Sequence, residues 1–156
     1  MVELIVGKKG KGKTKVLLDK VNGAVKEANG SIVYLDKSTK HMYELNNKVR
    51  LIDVSGFPIK NADEFVGFIC GILSQDHDLE QIYLDSFLKV AKLEDKDITG
   101  TLGQLDEIGK QFNVTFVISV SLDKEEIPEM LHGRSEEHTS ELQSLEDLVC
   151  RLLLEK

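Results

Sequence analysis

Cysteine is scarce in this sequence, and long apolar runs are absent. The 156 residues include two cysteines. These lack the spacing of metal ligands, which indicates a reduced, cytoplasmic protein. No run of about 18 apolar residues occurs, so we expect no membrane span. The first predicted strand begins at Val2, so we also expect no signal peptide.

Positive charge is also in short supply. The formal net charge is -7, so the composition gives no global signal for a nucleic-acid-binding protein. The chain has no linker rich in proline, serine or glycine, and it has no internal repeat. Its 41% of hydrophobic residues suits one globular domain with one core.

Strands and helices are predicted to alternate along the chain. Short apolar runs predict five strands, over residues 2–6, 31–35, 49–54, 81–84 and 114–120. Apolar residues at helical spacing predict helices over about residues 13–28 and 98–112, one behind Asn61, and a last short one over 124–131. The alternation predicts an α/β fold with a mostly parallel five-stranded sheet and helices on both faces.

The stretch "VGKKGKGKT" follows the first predicted strand and matches the phosphate-loop pattern. Gly7 is followed by four residues and then by Gly12, Lys13 and Thr14. In such a loop the backbone N–H groups and the helix N-terminus bind phosphate, the lysine reaches the β- and γ-phosphates, and the threonine hydroxyl binds Mg²⁺. The pattern therefore predicts a three-layer P-loop NTPase-like domain that binds ATP and Mg²⁺. The candidate binding residues are Gly7, Lys8, Lys9, Gly10, Lys11, Gly12, Lys13, Thr14 and Lys15.

The lysines inside this loop have two interpretations. Lys8, Lys9 and Lys11 either add positive charge to the phosphate site or are solvated loop residues.

A second group on the metal side should be an acid at the end of a buried strand. Asp85 in "IYLD" is the preferred candidate, and Asp36 and Asp53 have similar contexts. We therefore assign Asp85 both a metal-binding and a catalytic role. Ser119 or Ser121 ends a neighbouring strand, where such ATPases often place a sensor of the γ-phosphate; simple capping of the strand end explains either serine equally well.

The chain supplies few of the other groups that hydrolysis needs. Phosphoryl transfer needs a residue that orients the attacking water and a cation that stabilises the transition state. In many related ATPases a glutamate follows the strand-end acid, but here the residue is Ser86. Arg50 is the only arginine before residue 134, and it begins a predicted strand. Whether ATP is hydrolysed therefore stays open.

The sequence to about residue 130 resembles a group of short ATP-binding P-loop proteins of Gram-positive anaerobes that carry the label twitching motility protein PilT. The matching stretches are "ELIVGKKGKGKTK", "VRLIDV", "IYLDSFLK" and "NVTFVISVS". The resemblance implies an ATP-binding α/β domain, with Gly7, Gly12, Lys13 and Thr14 on its motif. It does not imply pilus retraction, because the long N-terminal domain and the histidine-rich boxes of true retraction motors are missing.

Three functions agree with these features. The first is a cytoplasmic ATP-binding protein whose ATPase activity is slow or depends on an unknown protein partner. The second is a non-catalytic module that senses nucleotide. The third, a small P-loop kinase, fits less well because a kinase lid would need more arginine.

The last part of the chain resembles translated DNA from a laboratory reagent. "RSEEHTSELQS", residues 134–144, resembles the conceptual translation of a widely used sequencing-library adapter. Three variable residues follow, and "LVCRLLLE", residues 148–155, continues the same adapter in frame. A real amphipathic C-terminal helix is the alternative. We expect residues 134–156 to be non-native and the P-loop domain to span residues 1–133, which leaves the true C-terminus open.

Overall fold

A computed structural model describes residues 1–8, 12–121 and 149–152, the last four by their backbone only. The strands are β1 (Val2–Gly7), β2 (Ser31–Asp36), β3 (Val49–Asp53), β4 (Leu79–Leu84), β5 (Thr115–Ser121) and β6 (Val149–Leu152). The helices are α1 (Lys13–Ala24), α2 (Ala62–Gln75), α3 (Phe87–Val90) and α4 (Thr99–Phe112), and short 3₁₀ helices cover Met42–Glu44 and Val54–Gly56. The helix predicted over 124–131 lies outside the described residues.

The strands form one parallel sheet in the order β3-β2-β4-β5-β1-β6. The predicted parallel sheet of five strands is confirmed in β1 to β5. β6 adds a sixth strand along β1, from Glu3 to Val6, and it lies inside the segment that resembles the adapter. Because all the strands are parallel, their carboxyl ends meet at one edge of the sheet.

Helices cover both faces of the sheet, which makes three layers. Side chains alternate between the two faces of each strand, so β1 directs Ile5 to one face and Leu4 to the other. Ile5 packs with α1 in one buried cluster, whereas Leu4 packs with α2, α3 and α4 in the larger one. The domain is therefore an α/β fold of three layers, as the sequence predicts.

The end of one helix differs from the sequence prediction, and the cap of another agrees with it. α1 ends at Ala24 rather than near residue 28, because its last turn tightens into bonds such as Lys26 N to the Gly23 oxygen at 3.3 Å. Asn61 caps α2 as predicted and accepts from the Glu64 N–H at 2.9 Å. Within the described residues, no helix is long and apolar enough to cross a membrane.

Candidate nucleotide site

The loop between β1 and α1 lies at the carboxyl edge of the sheet. β1 ends at Gly7 and α1 begins at Lys13. Gly12 adopts a left-handed conformation, with φ 81° and ψ 14°, which glycine reaches at little cost. No side chain caps the start of α1, and its first turn has no acidic residue. The first turn of the helix therefore adds no negative charge of its own to the positive N-terminal end.

The Lys13 ammonium folds back toward the residue at which the loop begins. Its side chain leaves the residue only 6% exposed, and Nζ donates to the backbone carbonyl of Lys8 at 2.6 Å. Burial lowers the pKa of Lys13, and the nearby charge of Asp85 opposes that shift. The loop lysine is thus in electrostatic contact with the predicted metal-side acid.

The other predicted loop residues have different surroundings. Thr14 follows in the first turn of α1 and is half-buried, whereas Lys8 is exposed. Lys15 points away on the outer face of α1, where Nζ lies 3.5 Å from the Asp19 carboxylate. Lys9, Gly10 and Lys11 lie outside the described residues.

The carboxyl ends of β2, β4 and β5 bring three predicted polar residues to the face that α1 covers. Tyr34, Tyr83 and Val117 belong to the cluster on that face. Asp36, Asp85 and Ser119 each follow one of them by two residues, so they project to the same side. All three are buried, with exposures of 3%, 3% and 1% respectively.

Asp85 is the centre of a hydrogen-bond network at this edge. Its Oδ1 accepts from the Ser119 hydroxyl at 2.9 Å and from the Ser86 N–H at 2.9 Å. Its Oδ2 accepts from the Tyr34 hydroxyl at 2.8 Å. The network joins β2, β4 and β5, and it fixes the carboxylate beneath the start of α1.

The residues around Asp85 clarify the role of the predicted serine. Ser86 has a left-handed backbone, with φ 55°, and its N–H is also 3.0 Å from the Ser119 hydroxyl oxygen. The Ser119 hydroxyl therefore bonds to residues of the neighbouring strand end, Asp85 and Ser86, and does not only cap the end of its own strand. Ser121 pairs in register with Gly7 at the loop.

Asp36 and Asp53 were the alternative acids, and their positions differ. Burial and the charge of Asp85 raise the pKa of Asp36, so Asp36 belongs to the same electrostatic site. The Asp53 Oδ1 instead accepts from Ser55, from its N–H at 3.0 Å and its hydroxyl at 2.6 Å. Asp53 thus caps the turn after β3.

Sequence reasoning missed Tyr34 as a site residue and considered Asp36 only as a substitute for Asp85. The available signal was the strand "IVYLD", in which Tyr34 and Asp36 are two residues apart and share a face. Arg50 lies at the opposite edge of the sheet, where it is 4.0 Å from Asp76. The structure therefore does not bring Arg50 to the site.

Comparisons with known proteins identify the fold. No protein-family model matches the chain, and no curated protein matches it. The chain is similar to a crystal structure of a KaiC-like protein from the hyperthermophilic archaeon Pyrococcus horikoshii OT3, with a TM-score of 0.56 and 19% identity. The match covers 78% of this chain and 61% of that chain, so this chain spans about three-fifths of its length. At this identity the similarity establishes the P-loop NTPase-like fold alone.

Proposed function

We propose that the chain is a cytoplasmic P-loop protein that binds ATP with Mg²⁺ and hydrolyses the ATP slowly or with the help of a protein partner. The observation that carries the proposal is the meeting of Lys13, Asp85, Ser119 and Asp36 at one edge of the sheet, on the face that α1 covers. In a nucleotide–metal site, a lysine at the start of the phosphate-loop helix binds the phosphates, and a fixed carboxylate nearby binds the metal ion.

The residues present fit a magnesium ion that arrives with a nucleotide. Mg²⁺ is usually held by one or two protein oxygens together with phosphates and water. Within the described residues, no group of three or more His, Cys, Asp or Glu could hold a metal, so the phosphates would have to complete the ligand set. Thr14 and Asp85 would hold the ion, and the ion would neutralise charge on the phosphates.

Asp36 is the residue best suited to orient the attacking water. Its strand, β2, lies beside β4, so Asp36 approaches the site from the strand next to that of Asp85. The raised pKa of Asp36 reflects a carboxylate that prefers to accept a proton, as a general base does. Asp36 would therefore orient the attacking water, as the glutamate after the strand-end acid does in many ATPases; this chain has Ser86 at that position.

The cation that stabilises the transition state would come from elsewhere. Arg50 is remote from the site, with its side chain 61% exposed. Lys13 supplies positive charge but no bidentate fork. An arginine from a protein partner would complete the site. We therefore expect the ATPase activity of the isolated chain to be low and that of its complex with the partner to be higher.

Asp36→Asn should separate hydrolysis from binding. We expect phosphate release by the full chain to fall about 100-fold, since a general base typically contributes that much, while ATP affinity changes less than about twofold. Measurements of phosphate release and of ATP binding by calorimetry test this. Asp53→Asn is the matched control, because Asp53 ends the neighbouring strand but caps a turn, and it should release phosphate at the rate of the unmodified chain. Equal rates in both variants would refute the role of Asp36.

The same substitution has an expected effect on stability. Because the pKa of Asp36 is raised in the folded chain, its ionised form destabilises the fold above that pKa, and this destabilisation disappears as the pH falls from the folded-state pKa toward the lower pKa of the unfolded chain. Asp36→Asn should therefore unfold at a temperature no lower than the unmodified chain at pH 7. This control shows that any loss of activity does not come from unfolding.

A nucleotide-sensing module is the second candidate. The absence of a glutamate after Asp85 and the distance of Arg50 from the site favour it. ATP binding without phosphate release, alone and with a candidate partner, would support sensing. A kinase fits less well, since no arginine near the loop is available to bind the phosphates of a second substrate among the described residues.

We also propose that residues 134–156 are not part of the natural protein. Deleting them should leave a folded chain, because β1 keeps its pairing with β5 from Val2 to Gly7. We expect ATP affinity within about twofold of the full chain, as the loop and Asp85 network are retained. Circular dichroism and binding measurements on the shortened chain test this. A chain that does not fold without β6 would show instead that this segment is integral to the domain.

A further inference from the structure

Tyr34 has a buried hydroxyl whose hydrogen bond goes to the metal-side acid. The residue is 0% exposed, and its hydroxyl is 2.8 Å from Oδ2 of Asp85. Its ring is stacked on that of Tyr83, with centroids 6.3 Å apart and planes 11° apart. The stack and the α1 cluster hold the ring, and with it the hydroxyl oxygen, beside Asp85.

The two oxygens of Asp85 are held in different ways. Oδ1 accepts two hydrogen bonds, from the Ser119 hydroxyl and the Ser86 N–H. In the described part of the chain, the donor to Oδ2 is Tyr34. A carboxylate oxygen has two acceptor positions. No second donor to Oδ2 is found among the described residues, which leaves one acceptor position for a further partner, and the bond from Tyr34 fixes which way that position faces.

We propose that Tyr34 is a positioning residue for the metal side of the nucleotide site: its hydroxyl orients the Asp85 carboxylate so that Oδ2 faces the magnesium ion bound with the nucleotide. The inference rests on the proposed function, because it assigns a partner to that same site. In the proposed role, Tyr34 itself contacts neither the metal ion nor the phosphates. It acts through Asp85 alone.

The electrostatic environment keeps Tyr34 in its donor form. Burial and the adjacent charge of Asp85 raise the pKa of the Tyr34 hydroxyl far above its ordinary value. The hydroxyl therefore stays protonated throughout the pH range of any binding assay. A phenylalanine at this position would retain the stacked ring but leave Oδ2 without its donor.

The magnesium dependence of ATP binding by Tyr34→Phe tests the inference. A hydrogen bond to a charged group is strong enough that its loss should raise the Mg²⁺ concentration needed for half-maximal binding of ATP about tenfold. Affinity for ATP without Mg²⁺ should change less than about twofold, whereas a merely structural role would weaken binding with and without the ion alike. An unchanged or lower magnesium requirement would overturn the inference.

Tyr83→Phe is the matched control. Tyr83 is the other half of the same ring stack, but its hydroxyl donates to the Gln81 side chain at 2.7 Å. Its magnesium requirement should equal that of the unmodified chain. The same shift in both variants would show that the stack, and not the hydrogen bond to Asp85, is responsible.

A measurement on the unmodified chain covers the case in which Tyr34→Phe does not fold. The sequence has three tyrosines, Tyr34, Tyr43 and Tyr83, so labelling their ζ carbons with ¹³C gives three NMR signals. Adding Mg²⁺ to the ATP complex should shift the Tyr34 signal, and the signal of Tyr43, 92% exposed, should not move. ATP binding with an unmoved Tyr34 signal would refute this inference alone. No ATP binding would refute the proposed function, and the inference with it.

Discussion

A Lys13→Ala chain should fold and yet bind ATP at least tenfold more weakly than the unmodified chain. Among the described residues of the loop and the start of α1, Lys13 both folds back onto the Lys8 carbonyl and is in electrostatic contact with Asp85. Without it, the phosphates would lose a charged donor in a partly buried site. Hydrogen bonds to charged groups are worth about 1.5–3 kcal/mol, so the affinity should fall at least tenfold. Calorimetric titration with ATP and Mg²⁺ measures this.

The same variant should lose no stability in the absence of nucleotide. The pKa of Lys13 is lowered by burial, so its charge destabilises the folded chain below that pKa, and the cost disappears as the pH rises toward the unfolded value. At pH 7 alanine removes this cost, and the unfolding temperature should be equal or higher. Lys26→Ala, an exposed lysine just beyond the far end of α1, is the control and should bind ATP normally. Normal ATP affinity in Lys13→Ala would show that Lys13 does not bind the phosphates of ATP.

Gly30→Ala should be among the most destabilising single substitutions in the domain. A Cβ at this position would lie 1.9 Å from the carbonyl oxygen of Asp78 and 2.9 Å from the Glu80 side chain. That carbonyl also accepts from the Ser31 N–H at 2.8 Å, so it cannot move away without disturbing the start of β2. We expect a loss of about 2–4 kcal/mol in the free energy of unfolding, measured by urea denaturation.

Gly67→Ala is the matched control for Gly30. Gly67 lies within α2, and a Cβ there would meet nothing within 4 Å. Alanine favours a helix over glycine by about 1 kcal/mol, so this variant should be more stable than the unmodified chain. Equal effects of the two substitutions would show that the contact between residue 30 and residue 78 does not constrain the fold.

The fold could be predicted because its signals are local. Strand runs such as residues 114–120 are continuous and apolar, and the helical spacing after the phosphate loop is regular. The alternation of the two then selects a parallel sheet. The exact end of α1 could not be predicted, because a tightened last turn depends on backbone bonds that residue types do not specify.

The site could be predicted only where one short stretch carries it. Gly12, Lys13 and Asp85 belong to recognisable patterns. The bond between Tyr34 and Asp85 depends on β2 lying beside β4 in the sheet order, and 51 residues separate the two in sequence. No local pattern reveals that neighbourhood. The position of Asp36 beside Asp85 could not be predicted for the same reason, since its identity as a strand-end acid did not show which strand would lie next to its own.

ATP binding by the unmodified full chain, measured by calorimetry with and without Mg²⁺, is the decisive test of whether this chain binds ATP together with Mg²⁺. We predict one ATP per chain and tighter binding when Mg²⁺ is present, because the Asp85 carboxylate is held where it can bind the ion. Binding that is absent, or that is indifferent to Mg²⁺, would contradict this prediction.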